Sequence, residues 1–350
     1  MTIEYKDSKR IVASGIGTEL TGIGGWKEVG RTTLGSADAN ILVSSLDDKR
    51  YYMILYADKG QASNGTDVNI RLNGDTGSNY SYRRCGNGGN DATDVSTATS
   101  YGIWAGNAVQ TPIFGVFYLS NKSDKEKLWQ GHAVTQHTAG AGNDPERSEL
   151  VTKWANTSNA VSSITANGTS NLASGSEVVV LGWDEDDTHT TNFWEELASV
   201  ESSSNSTTID TGTFTAKKYL WIQGVINLST GNTTWVRANA DTGNNYAGRG
   251  NLNGGSDSTR TSESGMRDTL ETASGRHFIN MFVINNSANE KLFLSQVVHQ
   301  GTAGAGNAPN RREGAKKWTN TSSQVTSLQF TNDASNDILS GSTLKVWGSD

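Results

Sequence analysis

Cysteine and proline are scarce in this 350-residue chain, which contains one cysteine and three prolines. Because Cys85 has no second cysteine to pair with, an intrachain disulfide is excluded. No run of apolar residues is long enough to predict a membrane-spanning helix. The polar residues 1–10 lack the apolar segment of a signal peptide, so we expect a protein made in the cytoplasm.

Strong bias of charge is also missing. The chain has 29 basic and 36 acidic residues, a net charge of −7, and the two signs are mixed along the sequence. Because no basic stripe is present, nucleic acid is not expected as a partner.

One segment of the chain occurs twice. Lys127–Ile164 aligns with Lys291–Leu328 without a gap, and about 20 of the 38 positions are identical. Both copies contain the loop Thr-Ala-Gly-Ala-Gly-Asn, at 138–143 and at 302–307. Small residues let backbone approach backbone closely, either within the sandwich or across a subunit contact, so we predict a tight crossing between core strands at this loop.

Aromatic residues stand out in a chain with a hydrophobic fraction of only 34 %: there are ten Trp, ten Tyr and eight Phe. They lie in short apolar runs between Gly, Ser, Thr and Asn, and no 3.6-residue periodicity is found. This pattern predicts an all-β fold with about eight strands per repeat, as in a jelly roll. The expected architecture is two tandem, duplicated, jelly-roll-like β-sandwich domains with a short N-terminal arm.

The repeat sets the expected domain boundaries. We assign an N-terminal arm to 1–25, a first β-sandwich to 26–183, an acidic linker to 184–192 and a second β-sandwich to 193–350. Several predicted core strands are apolar at both odd and even positions, as in strands buried on both faces. A partner chain would cover the outer face, so we predict a homo-oligomer; a longer loop over the sheet is the alternative.

Two sets of repeated polar residues are candidate sites. Arg147 and Glu149 return as Arg311 and Glu313, either as a patch that binds sugars or anions or as a structural ion pair. Asp75 and Asp241, each followed by Thr-Gly, indicate a turn, with calcium as the alternative. No other cofactor is expected.

Catalytic patterns are not repeated. None of the five histidines has a histidine at the matching position of the other copy, and no Gly-x-Ser-x-Gly motif occurs. Exposed aromatic residues are better candidates for binding. Tyr101, Trp104 and Trp129 are candidates to stack on sugar rings.

Several soft motifs resemble surface structural proteins of tailed viruses of marine bacteria and archaea. They are residues 214–219 (Phe-Thr-Ala-Lys-Lys-Tyr), 75–80 (Asp-Thr-Gly-Ser-Asn-Tyr), the 138–143 loop, the closing 340–348 segment and the polar leader at 2–10. The resemblance implies β-sandwich units, homo-oligomers, no enzymatic activity and a place in the virion.

Three functions compete at this stage. The first is a non-enzymatic virion protein of a shell, decoration or fibre, which binds its neighbours through the N-terminal arm. The second is a lectin-like tandem module that attaches to cell-surface glycans. The third is a polysaccharide-cleaving enzyme, which is disfavoured because no pair of carboxylates is duplicated.

Overall fold

The computed structural model is an all-β chain. It describes residues 3–6, 10–13, 25–63, 67–104, 111–184, 187, 192–230, 234–267, 274–332 and 337–350. Within these ranges the secondary structure is all strand, and no helix is long and apolar enough to cross a membrane. The predicted fold class is confirmed, because two tandem β-sandwiches follow a short N-terminal hairpin.

The strands of the arm and the first repeat are β1 (Ile3–Lys6), β2 (Arg10–Ala13), β3 (Lys27–Thr33), β4 (Asp38–Val43), β5 (Tyr51–Asp58), β6 (Asp67–Leu72), β7 (Tyr80–Gly86), β8 (Ala92–Ala98), β9 (Tyr101–Trp104), β10 (Ile113–Ser120), β11 (Lys127–Thr135), β12 (Glu146–Trp154), β13 (Ile164–Leu172) and β14 (Glu177–Trp183). Those of the second repeat are β15 (Glu195–Glu201), β16 (Thr208–Asp210), β17 (Tyr219–Leu228), β18 (Thr234–Ala238), β19 (Tyr246–Leu252), β20 (Ser258–Glu263), β21 (Gly275–Ile284), β22 (Lys291–His299), β23 (Asn310–Trp318), β24 (Leu328–Asn332) and β25 (Thr343–Ser349).

Each repeat is a sandwich of one large and one small antiparallel sheet. The large sheets have eight strands each, in the matching orders β3-β14-β5-β10-β11-β12-β7-β8 and β15-β25-β17-β21-β22-β23-β19-β20. The small sheets are β4-β13-β6-β9 and β16-β24-β18. Alternation builds the layers: in β6, Val68, Ile70 and Leu72 are buried and the residues between them are partly exposed. A separate apolar core fills each sandwich.

The predicted number of about eight strands per repeat is wrong. The described residues contain twelve strands from β3 to β14 and eleven from β15 to β25. Two of the unexpected strands, β8 and β20, are polar and lie at the edges of the large sheets. An edge strand forms from backbone hydrogen bonds on one side, so it leaves no apolar alternation in the sequence.

The outer faces of the two large sheets pack against each other. Their shared apolar core includes Met53 and Phe114 from the first repeat and Trp221, Phe282 and Leu294 from the second. The cover expected from a partner chain is therefore supplied, over part of each face, by the other repeat of the same chain. For those parts of the faces, the apolar residues no longer indicate a partner chain. The homo-oligomer itself stays a prediction.

Candidate functional site

The Thr-Ala-Gly-Ala-Gly-Asn loop joins neighbouring antiparallel strands in both repeats, β11 to β12 and β22 to β23. It is a hairpin connection, so the predicted crossing between core strands is wrong. Gly140 and Gly304 have φ angles of 90° and 100°, which glycine adopts without steric cost. A close approach of two backbones does occur, but between the repeats: Ser262 N–H donates to the carbonyl of Ala141 at 2.7 Å.

Side chains of the second repeat also bind the first loop. Gly140 N–H donates to Glu290 Oε1 at 2.6 Å, and Lys317 Nζ donates to the carbonyl of Thr138 at 2.6 Å. Glu290 and Lys317 are buried and lie 3.4 Å apart. Burial lowers the pKa of Lys317, and the nearby Glu290 carboxylate opposes that effect.

The second loop has the same internal geometry, but the described part of the chain makes no such contacts with it. Asn143 N–H donates to the carbonyl of Gly140 at 3.2 Å, and Asn307 N–H donates to that of Gly304 at 3.1 Å. All of Thr302–Asn307 is exposed. One loop conformation is thus found in two settings, against a neighbour and in solvent.

The counterparts of the two buried binding residues are exposed in the first repeat. Glu290 and Lys317 correspond to Glu126 and Lys153, 164 positions earlier (290 − 126 and 317 − 153). Lys153 Nζ lies 3.0 Å from Glu126 Oε2, and their side chains are 46 % and 40 % exposed. The first repeat therefore carries the same acid–base pair in solvent.

The predicted Arg–Glu residues lie mostly at the contact between the repeats. Arg147 Nη2 lies 2.7 Å from Asp257 Oδ1, and the two side chains are 2 % and 1 % exposed. Glu149 contacts Arg147, and Glu313 lies 3.9 Å from it. Arg311 remains 59 % exposed, 3.6 Å from Glu313. A sugar or an anion would have to displace the buried Asp257 to reach Arg147.

Other polar contacts extend this inter-repeat surface. Gln296 Nε2 lies 2.8 Å from His132 Nε2. Burial lowers the pKa of His132 to about 4, so the ring is neutral at pH 7 and accepts the amide hydrogen. Tyr219 OH and Lys218 Nζ donate to Glu177 Oε1 at 2.6 and 2.8 Å. Part of the buried charge, including Arg147 and Glu177, therefore lies in contacts that join the two repeats.

The two repeated aspartates cap turns. Asp75 Oδ2 accepts hydrogen bonds from Trp154 Nε1 at 2.7 Å and Asn79 Nδ2 at 2.9 Å, and Oδ1 accepts from Gly77 N–H at 2.8 Å. Burial alone would raise the pKa of Asp75, but these donors outweigh it and lower the pKa.

Asp241 has the corresponding partners in the second repeat, namely Trp318, Asn245 and Gly243. The turn interpretation therefore explains both residues. In the described ranges no group of three or more His, Cys, Asp or Glu side chains is placed to hold a metal.

An open groove with a volume of about 850 Å³ lies on the outer face of the first large sheet. Tyr51 stacks on Trp183 there, with ring centroids 5.4 Å apart and an interplanar angle of 23°. Tyr118, Leu128 and Val151 add apolar surface, and the last two are 59 % and 50 % exposed. The polar lining consists of Ser81, Arg83, Thr93, Ser120, Gln130, Thr152 and Lys153.

A smaller depression of about 380 Å³ lies on the outer face of the second large sheet. Phe278 and Val298 line it and are 45 % and 41 % exposed. Among the described residues, eight large hydrophobic side chains are exposed, and six of them line the groove or this depression. Exposed apolar surface is thus concentrated on these two parts of the outer faces.

Of the three predicted aromatic residues, Trp129 borders the groove but does not present its ring to it. The side chain of Trp129 is only 3 % exposed and packs against Phe117 inside the first sandwich, so it cannot stack on a ligand. The prediction that Trp129 is exposed is wrong because side chains alternate along β11, and Trp129 points to the inner face. Tyr101 and Trp104 lie on β9, and their side chains fall outside the described residues.

Sequence reasoning missed the groove residues Tyr51, Leu128, Val151 and Trp183. A signal for them was present, because strands apolar at odd and even positions need cover on both faces. This signal did not reveal which part of each outer face stays uncovered, since that depends on how the two repeats pack against each other.

Comparisons with known proteins give little further guidance. No protein-family model and no curated protein matches the chain. Among solved structures, one match is domains LG4-5 of the mouse laminin alpha1 chain, with 10 % identity and a TM-score of 0.21. It covers 95 % of this chain and 93 % of that chain. With so low a score, the match carries no argument about function.

Proposed function

We propose that the protein is a non-enzymatic structural protein that assembles through the outer faces of its sandwiches. In line with the sequence resemblance, its place is in a virion as a shell, decoration or fibre component. The observation that carries the proposal is the uncovered apolar surface. Tyr51, Leu128 and Val151 are exposed on one repeat, and Phe278 and Val298 on the other. Contiguous apolar patches on soluble proteins mark interaction sites.

The polar residues of the contact between repeats also support a structural role. Arg147, Asp257 and Glu177 are buried in ion pairs that join the two sandwiches. A chain whose buried ion pairs hold its two domains together fits a scaffold.

The size of the purified wild-type chain tests this function. Light scattering and sedimentation velocity over a wide range of protein concentration should show growth beyond one chain, and micrographs should show ordered particles or filaments. A species that stays monomeric at the highest concentration contradicts the proposal.

A second candidate is glycan binding in the groove. The stacked Tyr51–Trp183 pair offers an aromatic platform, and Gln130 and Lys153 offer hydrogen-bonding groups beside it. Aromatic faces beside polar groups suit sugar rings, which present both C–H and O–H groups.

A glycan array tests this candidate. Binding to a defined glycan should disappear in Trp183→Ala and persist in Leu42→Ala, which alters an exposed residue on the small sheet. An array without hits, or a hit unaffected by Trp183→Ala, contradicts glycan binding in the groove.

A further inference from the structure

The outer face of each large sheet has two halves that serve different purposes. The loop half ends at the Thr-Ala-Gly-Ala-Gly-Asn loop, and the far half lies at the opposite ends of the same strands. In the first repeat, the loop half includes Phe114, Val134 and the loop itself. The second repeat covers this half, and Phe114 and Val134 are 1 % and 0 % exposed.

The second repeat uses its far half for this contact. Tyr219, Phe282 and Leu292 of that half are 0 %, 5 % and 0 % exposed, and they belong to the apolar core shared by the repeats. Glu290 and Lys317 bind the first loop from the edge of the same half. The contact therefore joins the loop half of the first repeat to the far half of the second, and the equivalent residues His132 and Gln296 meet at its centre.

Each repeat keeps the opposite half uncovered. The far half of the first repeat is the groove, where Tyr51, Tyr118 and Leu128 match Tyr219, Phe282 and Leu292 by sequence position. Tyr51 and Leu128 are 36 % and 59 % exposed, whereas their counterparts are fully buried.

The loop half of the second repeat is uncovered as well. Phe278 and Val298 match Phe114 and Val134, and they are 45 % and 41 % exposed. Next to them, Thr302–Asn307 is exposed and already has the conformation of the bound first loop. Because the loop already has this conformation, binding would cost it little conformational entropy.

Building on the assembly function proposed above, we infer that the occupant of the groove is the loop half of the second repeat from another copy of this chain. The intermolecular contact repeats the outer part of the intramolecular one, since His132 and Gln296 at the centre already bind each other within one chain. Phe278 and Val298 enter the groove beside Tyr118 and Leu128. Since each copy offers one groove and one free loop half, copies join head to tail.

The polar contacts of the loop carry over with the apolar ones. Gly304 N–H takes the place of Gly140 N–H and donates to the carboxylate of Glu126. Lys153 Nζ takes the place of Lys317 Nζ and donates to the carbonyl of Thr302. Glu126 and Lys153 pair with each other at 3.0 Å in the single chain, and both are accessible to the loop of another copy.

Two ion pairs of the intramolecular contact do not carry over. Glu177, which holds Lys218 and Tyr219, has Thr343 as its counterpart, and Asp144, which pairs with Arg249, has Ala308. The contact between copies is therefore weaker than the contact between repeats. Assembly should be reversible and should depend on concentration.

Complementation between two blocked variants tests the inference. Leu128→Arg places a charge in the groove, and Val298→Arg places one on the free loop half. Each variant alone should associate about 30-fold or more weakly than the wild type, as expected for the loss of a central contact. A mixture of the two should form a complex of one chain of each, because each still offers the surface that the other has lost.

The matched control is Leu42→Arg, at an exposed site on the small sheet, which should assemble like the wild type. Circular dichroism and thermal unfolding establish that each variant folds, and Lys153→Glu, at another exposed site, replaces Leu128→Arg if that variant does not. Sedimentation velocity gives the sizes of the separate and mixed proteins.

The outcomes separate this inference from the function on which it rests. A monomeric wild type overturns both. If the wild type assembles and both variants assemble equally well, assembly uses another surface and only the inference fails. If the variants are blocked but the mixture stays monomeric, the contact is not head to tail, and the inference fails again.

Discussion

The two copies of the Thr-Ala-Gly-Ala-Gly-Asn loop have one sequence and one backbone conformation but opposite surroundings. In the first repeat the loop is bound by Glu290 and Lys317, and in the second it is exposed. The counterparts of these two residues in the first repeat, Glu126 and Lys153, lie in solvent. The loop therefore does not determine its own role, since the position of the neighbouring repeat does.

The largest difference between equivalent residues should appear at the paired arginines. Arg147→Ala leaves the carboxylate of Asp257 buried without its partner, which should lower the free energy of unfolding by about 3–5 kcal/mol. Arg311→Ala removes an exposed ion pair and should cost less than about 1 kcal/mol. Urea denaturation of both variants at one low protein concentration measures the difference, and equal losses would contradict the asymmetry.

A buried aspartate distinguishes the interiors of the two repeats. Asp58 is 3 % exposed, and its counterpart is the buried Ile226. Burial raises the pKa of Asp58 to about 6, although Gly60, Ser176 and Tyr56 donate hydrogen bonds to it. The folded state thus holds a proton on Asp58 at pH values where the unfolded state has released it.

Stability should consequently fall as the pH rises from about 4 to about 6. The contribution of Asp58 to this fall is roughly 2–3 kcal/mol, since each pKa unit corresponds to about 1.4 kcal/mol. Asp58→Asn should remove this contribution, so the difference in unfolding free energy between variant and wild type should grow across that pH window. A constant difference from pH 4 to pH 7 would show that Asp58 is not the group involved.

The equivalent lysines Lys317 and Lys153 should differ by a smaller amount in their contribution to the free energy of unfolding. Lys317→Met leaves the carbonyl of Thr138 without its donor and the buried carboxylate of Glu290 without its cation, at a cost of roughly 1–3 kcal/mol. Lys153→Met affects only an exposed ion pair, so the expected loss is below about 1 kcal/mol. Thermal unfolding of the two variants compares them, with Lys345→Met as a further exposed control.

The capped turns should show almost no difference, because both repeats build them with the same partners. Asp75→Ala and Asp241→Ala should each cost about 1–2 kcal/mol through lost hydrogen bonds, with values that agree within about 0.5 kcal/mol. Since hydrogen bonds lower the pKa of both aspartates, this stabilisation is present above pH 4 and lost as the pH falls through the lower folded-state pKa. Unfolding curves of the wild type, the two single variants and the double variant at pH 7 and pH 3 check both statements.

Most of the fold could be predicted from the sequence, and most of the candidate site could not. Alternation in β6 and the repeated Asp-Thr-Gly turns identify strands and turns, because they depend on neighbours in the chain. The edge strands β8 and β20 could not be found in this way, since polar residues form them through backbone pairing alone. Trp129 was assigned to the wrong face because an aromatic residue near a loop does not reveal its orientation.

The sequence by itself determines that this protein is a duplicated all-β chain, with one loop and one kind of capped turn in each copy. Those features follow from local patterns that both repeats share. Only the tertiary structure decides that one loop is bound and the other free, and that Leu128 is exposed while Leu292 is buried. The physical reason is that two similar faces packed heterologously bury different halves, so equal sequences acquire unequal surfaces.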